Sequence, residues 1–157
     1  MRRDTRGAIV VPEAFERTPT RNEDAMTATV PPKFSAELWA AFWAAPVMSR
    51  GADILAEDIV GYWPGDTAPV RGLDAYTAKI RDLLEAIPDL RLRLVDSATV
   101  PGEQAGEELV FLHYTGEGTG PDGPFSFRGL DRVRARDGLV IENVIRYDPT
   151  EFPTAAR

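Results

Sequence analysis

The spacing of apolar residues changes once along the chain, from a helical period to an alternating one. Up to Pro88, apolar side chains recur mainly at helical spacing, and beyond it they recur mainly at every second residue. The first part predicts a helix from Ser35 to Pro46, a short helix over 49–56, a strand over 58–64, and a helix from about Leu73 to Ile87. The second part predicts four strands, over 91–99, 109–119, 125–136 and 139–147.

This order of elements predicts one α+β domain. Three helices would pack on one face of a strongly curved, mainly antiparallel sheet, because the pattern does not alternate as βαβ units do. Residues 1–33 follow neither period and end in Thr29-Val30-Pro31-Pro32, so we expect a flexible N-terminal tail in which Met26 is an alternative start. We place the domain at 34–150 and a C-terminal tail at 151–157.

The predicted strand over 125–136 carries one acidic residue on an apolar face. Its two-residue repeat places Asp131 on the same side as Phe127 and Val133. A carboxylate in apolar surroundings must find donors, find a cation or take up a proton, and burial raises its pKa. Asp131 is therefore a candidate general acid or base. A structural aspartate held by hydrogen bonds remains the alternative.

Composition narrows the possible partners. The net charge of −7 and pI near 4.8 disfavour binding to nucleic acid. The absence of cysteine and the single histidine argue against a zinc site, and we expect no metal and no cofactor. No run approaches the roughly 18 apolar residues of a membrane span, so we expect a cytoplasmic protein without membrane contact.

The opposite face of the strand over 125–136 is rich in arginine. It carries Arg128, Arg132, Arg134 and Arg136. On an acidic protein such a row predicts a solvated face or salt bridges more than a phosphate-binding stripe. With Leu130 among the arginines, this face is also a candidate contact with a second subunit.

Several segments resemble the SnoaL-like polyketide cyclases of the nuclear transport factor 2-like superfamily. They are the helix end at Leu83–Pro88, the segment Gly129-Leu130-Asp131-Arg132, and the stretch from Asp137-Gly138-Leu139-Val140-Ile141-Glu142 to Asp148. The resemblance covers about residues 35–149. It implies a cone in which the sheet wraps around the helices, an apolar pocket at the open mouth, and a homodimer.

The resemblance includes one catalytic residue of the related enzymes but not the residues that act together with it. Asp131 matches the acid/base aspartate of the cyclases and the neutral, oxyanion-binding aspartate of the ketosteroid isomerases. The cyclases' histidine position falls at Gly118, within Thr115-Gly116-Glu117-Gly118-Thr119-Gly120. The isomerases' tyrosine and base positions fall at Trp39 and Trp63. These indoles would enlarge the apolar wall, donate N–H groups and stack on a flat ligand, or simply pack in the core.

Four further residues are candidates with different expectations. Strand parity directs Tyr114 inward as a hydrogen-bond donor and His113 outward. Glu117 would replace the missing histidine only if a bulge rotated it inward. Arg146 would pair with Asp131 if it pointed inward, as the resemblance to limonene epoxide hydrolases implies. We therefore predict Asp131 and Tyr114 as catalytic residues, and as substrate-binding residues Trp39, Trp63, Phe127, Val133 and Arg146.

Three functions fit these residues. The first is a small-molecule enzyme, a cyclase, isomerase or hydrolase that uses Asp131 on a hydrophobic substrate. The second is a non-catalytic binding protein for a hydrophobic small molecule in the same pocket. The third is a dimeric interaction module whose cavity is filled by its own side chains.

Overall fold

A computed structural model describes residues 33–148 and 150–152 and shows the predicted α+β arrangement. The helices are α1 (Ala36–Ala44), α2 (Met48–Gly51), which continues as a 3₁₀ turn over Ala52–Ile54, and α3 (Leu73–Ala86). The strands are β1 (Leu55–Tyr62), β2 (Val70–Arg71), β3 (Arg91–Pro101), β4 (Glu107–Gly120), β5 (Gly123–Arg136) and β6 (Leu139–Tyr147). Of these strands, only the two-residue β2 has no counterpart in the sequence prediction.

The strands form one six-stranded sheet in the order β2-β1-β6-β5-β4-β3. β1 and β6 run parallel, and all other neighbours are antiparallel. Register shifts occur in β3 between Leu94 and Asp96, and in β6 between Val140 and Glu142. Such bulges bend strands and increase their twist, which is consistent with a sheet that curves around the helices.

Local sequence signals set the ends of the first helix. The Ser35 hydroxyl accepts a hydrogen bond from the Leu38 N–H at 3.2 Å, so the expected N-cap is confirmed. The helix ends at Ala44, before Pro46. Trp39 and Trp43 are buried on the face that meets the sheet. α1 therefore supplies two indoles to the core.

The two faces of β5 differ as its alternation predicts. Phe127, Asp131 and Val133 are buried on the concave side, while Leu130 on the other side is 50% exposed. The outward arginines have carboxylate partners, which are Glu151 for Arg128, Glu142 for Arg132 and Arg134, and Glu107 for Arg136. Their charge is thus balanced within the chain.

One residue beyond the predicted end of the domain packs against the core. Phe152, expected in the C-terminal tail, is buried and packs at 4.7 Å from the Tyr147 ring and 4.9 Å from the Phe127 ring. Burial of this large apolar side chain is more favourable in free energy than its exposure to solvent in a tail. Most of the expected N-terminal tail, including Met26, lies outside the described residues. In the part of the chain that is described, no helix is long and apolar enough to cross a membrane.

Candidate functional site

A cavity lies between the helices and the concave face of the sheet. Its volume is about 90 Å³, and aromatic and aliphatic side chains form most of its wall. Four residues expected to bind substrate line it, namely Trp39, Trp63, Phe127 and Val133. The structure therefore brings these side chains together, and their role in binding stays a prediction.

Asp131 lies in the wall of this cavity with little access to solvent. Its side chain projects from β5, and the residue is only 4% exposed. The Tyr114 hydroxyl donates a hydrogen bond to Asp131 Oδ1 at 2.9 Å. The Asn143 amide Nδ2 lies 3.4 Å from Asp131 Oδ2. The two carboxyl oxygens thus have one donor each.

Burial dominates the electrostatics of this carboxyl group. The loss of water raises the pKa of Asp131 to about 7, although the hydrogen bonds from Tyr114 and Asn143 act in the opposite direction. Burial and the neighbouring Asp131 raise the pKa of Tyr114 far above its ordinary value. At neutral pH, Tyr114 is therefore a neutral donor, while Asp131 populates both protonation states.

A glycine on β5 makes room for Tyr114. Tyr114 on β4 pairs with Gly129, and a Cβ atom at Gly129 would lie within 2.5 Å of the Tyr114 ring and hydroxyl. The tyrosine therefore crosses directly over the Gly129 backbone to reach Asp131, two residues further along β5. Any larger side chain at residue 129 would displace it.

Two polar residues of the site were not predicted as such. The Asn143 amide, on β6, also donates to the Tyr76 hydroxyl at 3.0 Å, and both residues line the cavity. Tyr76 lies in the helix predicted over Leu73–Ile87, where the helical spacing of apolar residues indicated a packing role and not a polar one. Asn143 lies on a strand whose two faces both mix polar and apolar residues. Tyr76, Asn143, Asp131 and Tyr114 form one hydrogen-bonded chain.

Two buried polar atoms, on residues that line the cavity, have no hydrogen-bond partner among the described residues. They are the indole Nε1 of Trp63 and the amide Oδ1 of Asn143, and both atoms are buried. Asn143 as a whole is 6% exposed. A buried polar group without a partner costs about 1–3 kcal/mol, and such groups are rare in native proteins.

Three other candidates lie away from the cavity. Arg146, predicted to bind substrate, is exposed and donates to the carbonyl oxygen of Ile145, so the condition for a pair with Asp131 is not met. On β6, Asn143 and Ile145 face inward. The next residue, Arg146, therefore faces outward. His113 faces outward, with Nδ1 at 3.5 Å from Asp96, as strand parity predicted. Glu117 is exposed, since no bulge interrupts the pairing of β4 with β5.

The position of the missing histidine is closed by packing. A Cβ atom at Gly118 would lie 2.7 Å from Ile87 Cγ2 and 3.3 Å from the Phe125 ring. These two apolar side chains occupy the space that a histidine at residue 118 would need. Within the described residues, no three His, Cys, Asp or Glu side chains are grouped so that they could hold a metal ion.

Comparison with solved structures shows similarity over most of the domain. IdmH from Streptomyces antibioticus, named as a candidate polyketide cyclase, has a TM-score of 0.62 and 20% identity, over 73% of this chain and 90% of that chain. A protein from Catenulispora acidiphila with a ketosteroid isomerase-like fold, in complex with trimethylamine, has a TM-score of 0.61 and 14% identity, over 73% and 85%. A candidate polyketide cyclase from Pseudomonas putida has a TM-score of 0.58 and 13% identity, over 75% and 95%. At these identities the likeness shows the fold.

Sequence comparison identifies the family. No curated protein matches the chain significantly. The family model of the SnoaL-like domain matches residues 36–143, which is more than half of the chain. The protein belongs to the SnoaL-like domain family and has the nuclear transport factor 2-like fold.

Proposed function

We propose that this protein is a small-molecule enzyme in which Asp131 transfers a proton on a hydrophobic substrate bound in the cavity. The observation that carries the proposal is the buried Asp131 carboxyl group, bonded to Tyr114 in an apolar wall, with a pKa near 7. A group that populates both protonation states at working pH serves as base and as acid in one turnover. Membership in the SnoaL-like family supports a reaction of the cyclase or isomerase type.

A single carboxyl group can both remove a proton from the substrate and return it. The ionised Asp131 removes a proton from a carbon next to a substrate carbonyl, which leaves an enolate and a neutral Asp131. The same proton then returns to a different atom of the substrate. In an isomerisation that atom is another carbon. In a cyclisation the enolate carbon bonds to a second carbonyl carbon, and the resulting alkoxide takes the proton. Neither reaction requires another reactant.

Tyr114 tunes and orients this group. Its hydrogen bond stabilises the ionised carboxylate against the desolvation that favours the neutral acid. Because its own pKa is raised, Tyr114 keeps its proton. We propose that Trp39, Trp63, Phe127 and Val133 hold the apolar part of the substrate.

An exchange experiment tests the proposal without knowledge of the natural substrate. Cyclopentanone is incubated with the protein in D₂O, and NMR follows the exchange of protons next to its carbonyl. The wild type is expected to accelerate exchange, and Asp131→Asn is expected to lower the enzymatic rate by at least about 100-fold, the lower end of general-base effects. His113→Asn, remote from the cavity, is the matched control. An Asp131→Asn variant that exchanges as fast as the wild type would remove this mechanism.

A binding protein without catalysis is the second candidate. The observation in its favour is that Asp131 is the sole carboxyl group among the described cavity-lining residues, and both family partner positions hold other residues. Cyclopentanone that binds but undergoes no exchange above the uncatalysed rate, with an affinity unaffected by Asp131→Asn, would favour this function. A cavity that takes up no ligand would instead favour the interaction module.

We also propose that the protein is a cytoplasmic homodimer. The outer face of the sheet supports a contact between two copies, because Leu130 is 50% exposed there and the surrounding arginines are already paired with carboxylates. A neutralised surface with an exposed apolar centre is suited to a self-complementary interface.

A further inference from the structure

Phe152 is an aromatic residue of the cavity wall that comes from outside the six-stranded sheet. It lines the cavity, and only 4% of the residue is exposed. Its ring stacks on the Tyr147 ring at 4.7 Å and meets the Phe127 ring edge-on at 4.9 Å, and both of these residues also line the cavity. The Phe125 ring lies 5.5 Å away. Phe152 therefore belongs to an aromatic cluster on one side of the cavity.

This aromatic cluster is separated from Asp131 along β5. Phe127 and Asp131 share the concave face of the strand. At about 3.4 Å per residue, their backbone positions are roughly 13 Å apart. Tyr114 lies between them, with its ring 6.3 Å from the Phe127 ring and its hydroxyl bonded to Asp131. Phe152 therefore bounds the space for a part of the ligand that is remote from the reacting atoms.

Hydrogen bonds fix the residues next to Phe152 to the sheet. The Arg128 backbone N–H donates to Glu151 Oε2 at 3.2 Å, and the Arg128 guanidinium lies 3.4 Å from Glu151 Oε1. The Glu151 backbone N–H donates to the Asp148 carbonyl oxygen at 3.1 Å. Asp148 Oδ1 accepts from the backbone N–H and the hydroxyl of Thr150, at 2.9 and 2.7 Å. These contacts hold the chain in a turn after β6 and keep the Phe152 ring against the concave face.

The volume of the cavity indicates what the Phe152 ring excludes. The cavity holds about 90 Å³, which is less than the apolar cavity of about 150 Å³ that binds benzene in another protein. The side chain of Phe152 is itself a benzene ring on one methylene group. Because this ring packs against other residues of the cavity wall, its removal would add a space of about its own size to the cavity.

From this packing, and resting on the proposed function, we infer that Phe152 is a specificity-determining residue that limits the ligand to about the size of a five-membered ring. A ligand that extends from Asp131 towards Phe127 meets the Phe152 ring. Substrates with an aryl group on that side are therefore excluded. The match to the family model ends at residue 143, so the residue that sets this limit lies outside the matched region.

Two ketones test the inference on the full-length protein. Cyclopentanone is the small probe, and 3-phenylcyclopentanone adds a phenyl ring equal to the one that Phe152→Ala removes. Affinities for both probes come from NMR titration of the wild type and of each variant. Phe111→Ala is the matched control, because it removes the same ring from a half-buried residue of β4 that does not line the cavity.

The two ketones should exchange their order of affinity when the Phe152 ring is removed. The wild type is expected to bind cyclopentanone more tightly than 3-phenylcyclopentanone. Phe152→Ala should bind 3-phenylcyclopentanone at least about tenfold more tightly than cyclopentanone, the lower end for burial of a phenyl ring. In that complex the phenyl protons of the ligand should show nuclear Overhauser effects to the Phe127 and Tyr147 rings. Phe111→Ala should behave as the wild type does.

Phe152→Leu keeps the inference testable if the alanine variant fails to fold. Leucine retains much of the apolar contact and removes a smaller volume. The matched probe is 3-methylcyclopentanone, which adds a single methyl group to cyclopentanone. Its affinity relative to cyclopentanone should rise about fourfold in this variant, which corresponds to one buried methylene group.

Failure of the inference can be distinguished from failure of the proposed function. If the wild type binds 3-phenylcyclopentanone as tightly as cyclopentanone, or if folded Phe152→Ala still rejects it, Phe152 does not limit the ligand, although the proposed proton transfer stands. A wild type that binds cyclopentanone without accelerating its exchange contradicts the proposed function alone. If no ketone binds to the wild type or to the variants, both proposals fail.

Discussion

At the scale of single residues, Asp131 is the buried titratable group on which the proposed function depends. Burial raises its pKa, while the hydrogen bonds from Tyr114 and Asn143 lower it, and burial has the larger effect. The folded protein therefore binds a proton in a pH range where the unfolded chain has released it. This difference links the site to the stability of the whole chain.

The stability of the protein should fall as pH rises through the Asp131 pKa. The contribution of Asp131 is fully present below about pH 4, the pKa of an unperturbed aspartate, and is lost as pH rises to about 7. We expect the wild type to gain about 3 kcal/mol from this group at pH 5 relative to pH 8, by urea denaturation. Asp131→Asn should remove that difference, and an unchanged pH slope in the variant would contradict the burial argument.

Other carboxyl groups act in a more acidic window. The pKa of Asp89 is lowered, first by the hydrogen bond from the Thr119 hydroxyl, and that of Asp148 is lowered by Thr150 in the same way. Their contributions are present above the unfolded pKa and are lost as pH falls below it. These two contributions therefore change little between pH 5 and pH 8.

At the scale of elements, the hairpin of β4 and β5 brings together Tyr114 and Asp131, the proposed catalytic pair. Every residue of β4 pairs with a residue of β5 without a register shift. Tyr114 can reach Asp131 only because glycine occupies residue 129 between them. The pair thus depends on a strand position that carries no side chain.

Gly129→Ala should separate Tyr114 from Asp131. The added methyl group occupies space taken by the tyrosine ring, so we expect a loss of about 1–3 kcal/mol in unfolding free energy. The pKa of Asp131 should rise, because a hydrogen bond that lowers it is weakened. NMR titration of the carboxyl carbon measures this shift. In a Tyr114→Leu background the same alanine should cost less, whereas equal costs would show that the two residues do not interact.

The sequence predicted some elements of the site and not others, for physical reasons. β5 alternates strictly, so its pattern placed Asp131, Phe127 and Val133 on one face. In β6 the register shift brings both Val140 and Asn143 to the buried side, and a two-residue repeat cannot represent that. The bond between Tyr76 and Asn143 joins residues 67 positions apart, so helix periodicity alone could not reveal it.

At the scale of the whole molecule, the sheet separates two surfaces of different composition. Its concave face and the helices enclose the cavity, and its convex face presents Leu130 among arginines paired with acidic residues. The family resemblance predicted the cone, and alternation alone predicted the two faces. The homodimer, which the resemblance also implied, stays a prediction. The sequence could not show that the space beside Gly118 is filled, because the side chain that fills it, Ile87, comes from the end of a helix that is distant in sequence.

Leu130→Lys should convert the proposed dimer to a monomer. In a twofold interface the new charge would face its own copy, and like charges oppose association. Light scattering after gel filtration measures the mass, and the unfolding free energy of the monomer should change by no more than about 0.5 kcal/mol. Val47→Lys, at another exposed apolar residue away from the sheet, is the control. A wild type that already has the mass of one chain contradicts the proposal.

The uninterrupted pairing of β4 with β5 also limits how this protein can diverge. Loss or gain of one residue within β5 ahead of Asp131 would turn the acid to solvent and send a neighbouring arginine or leucine into the cavity. Insertions and deletions are therefore tolerable at the hairpin tip and the strand ends, but not in the middle of the strand. Changes of specificity in descendants should arise by substitution around a carboxyl group that keeps its place.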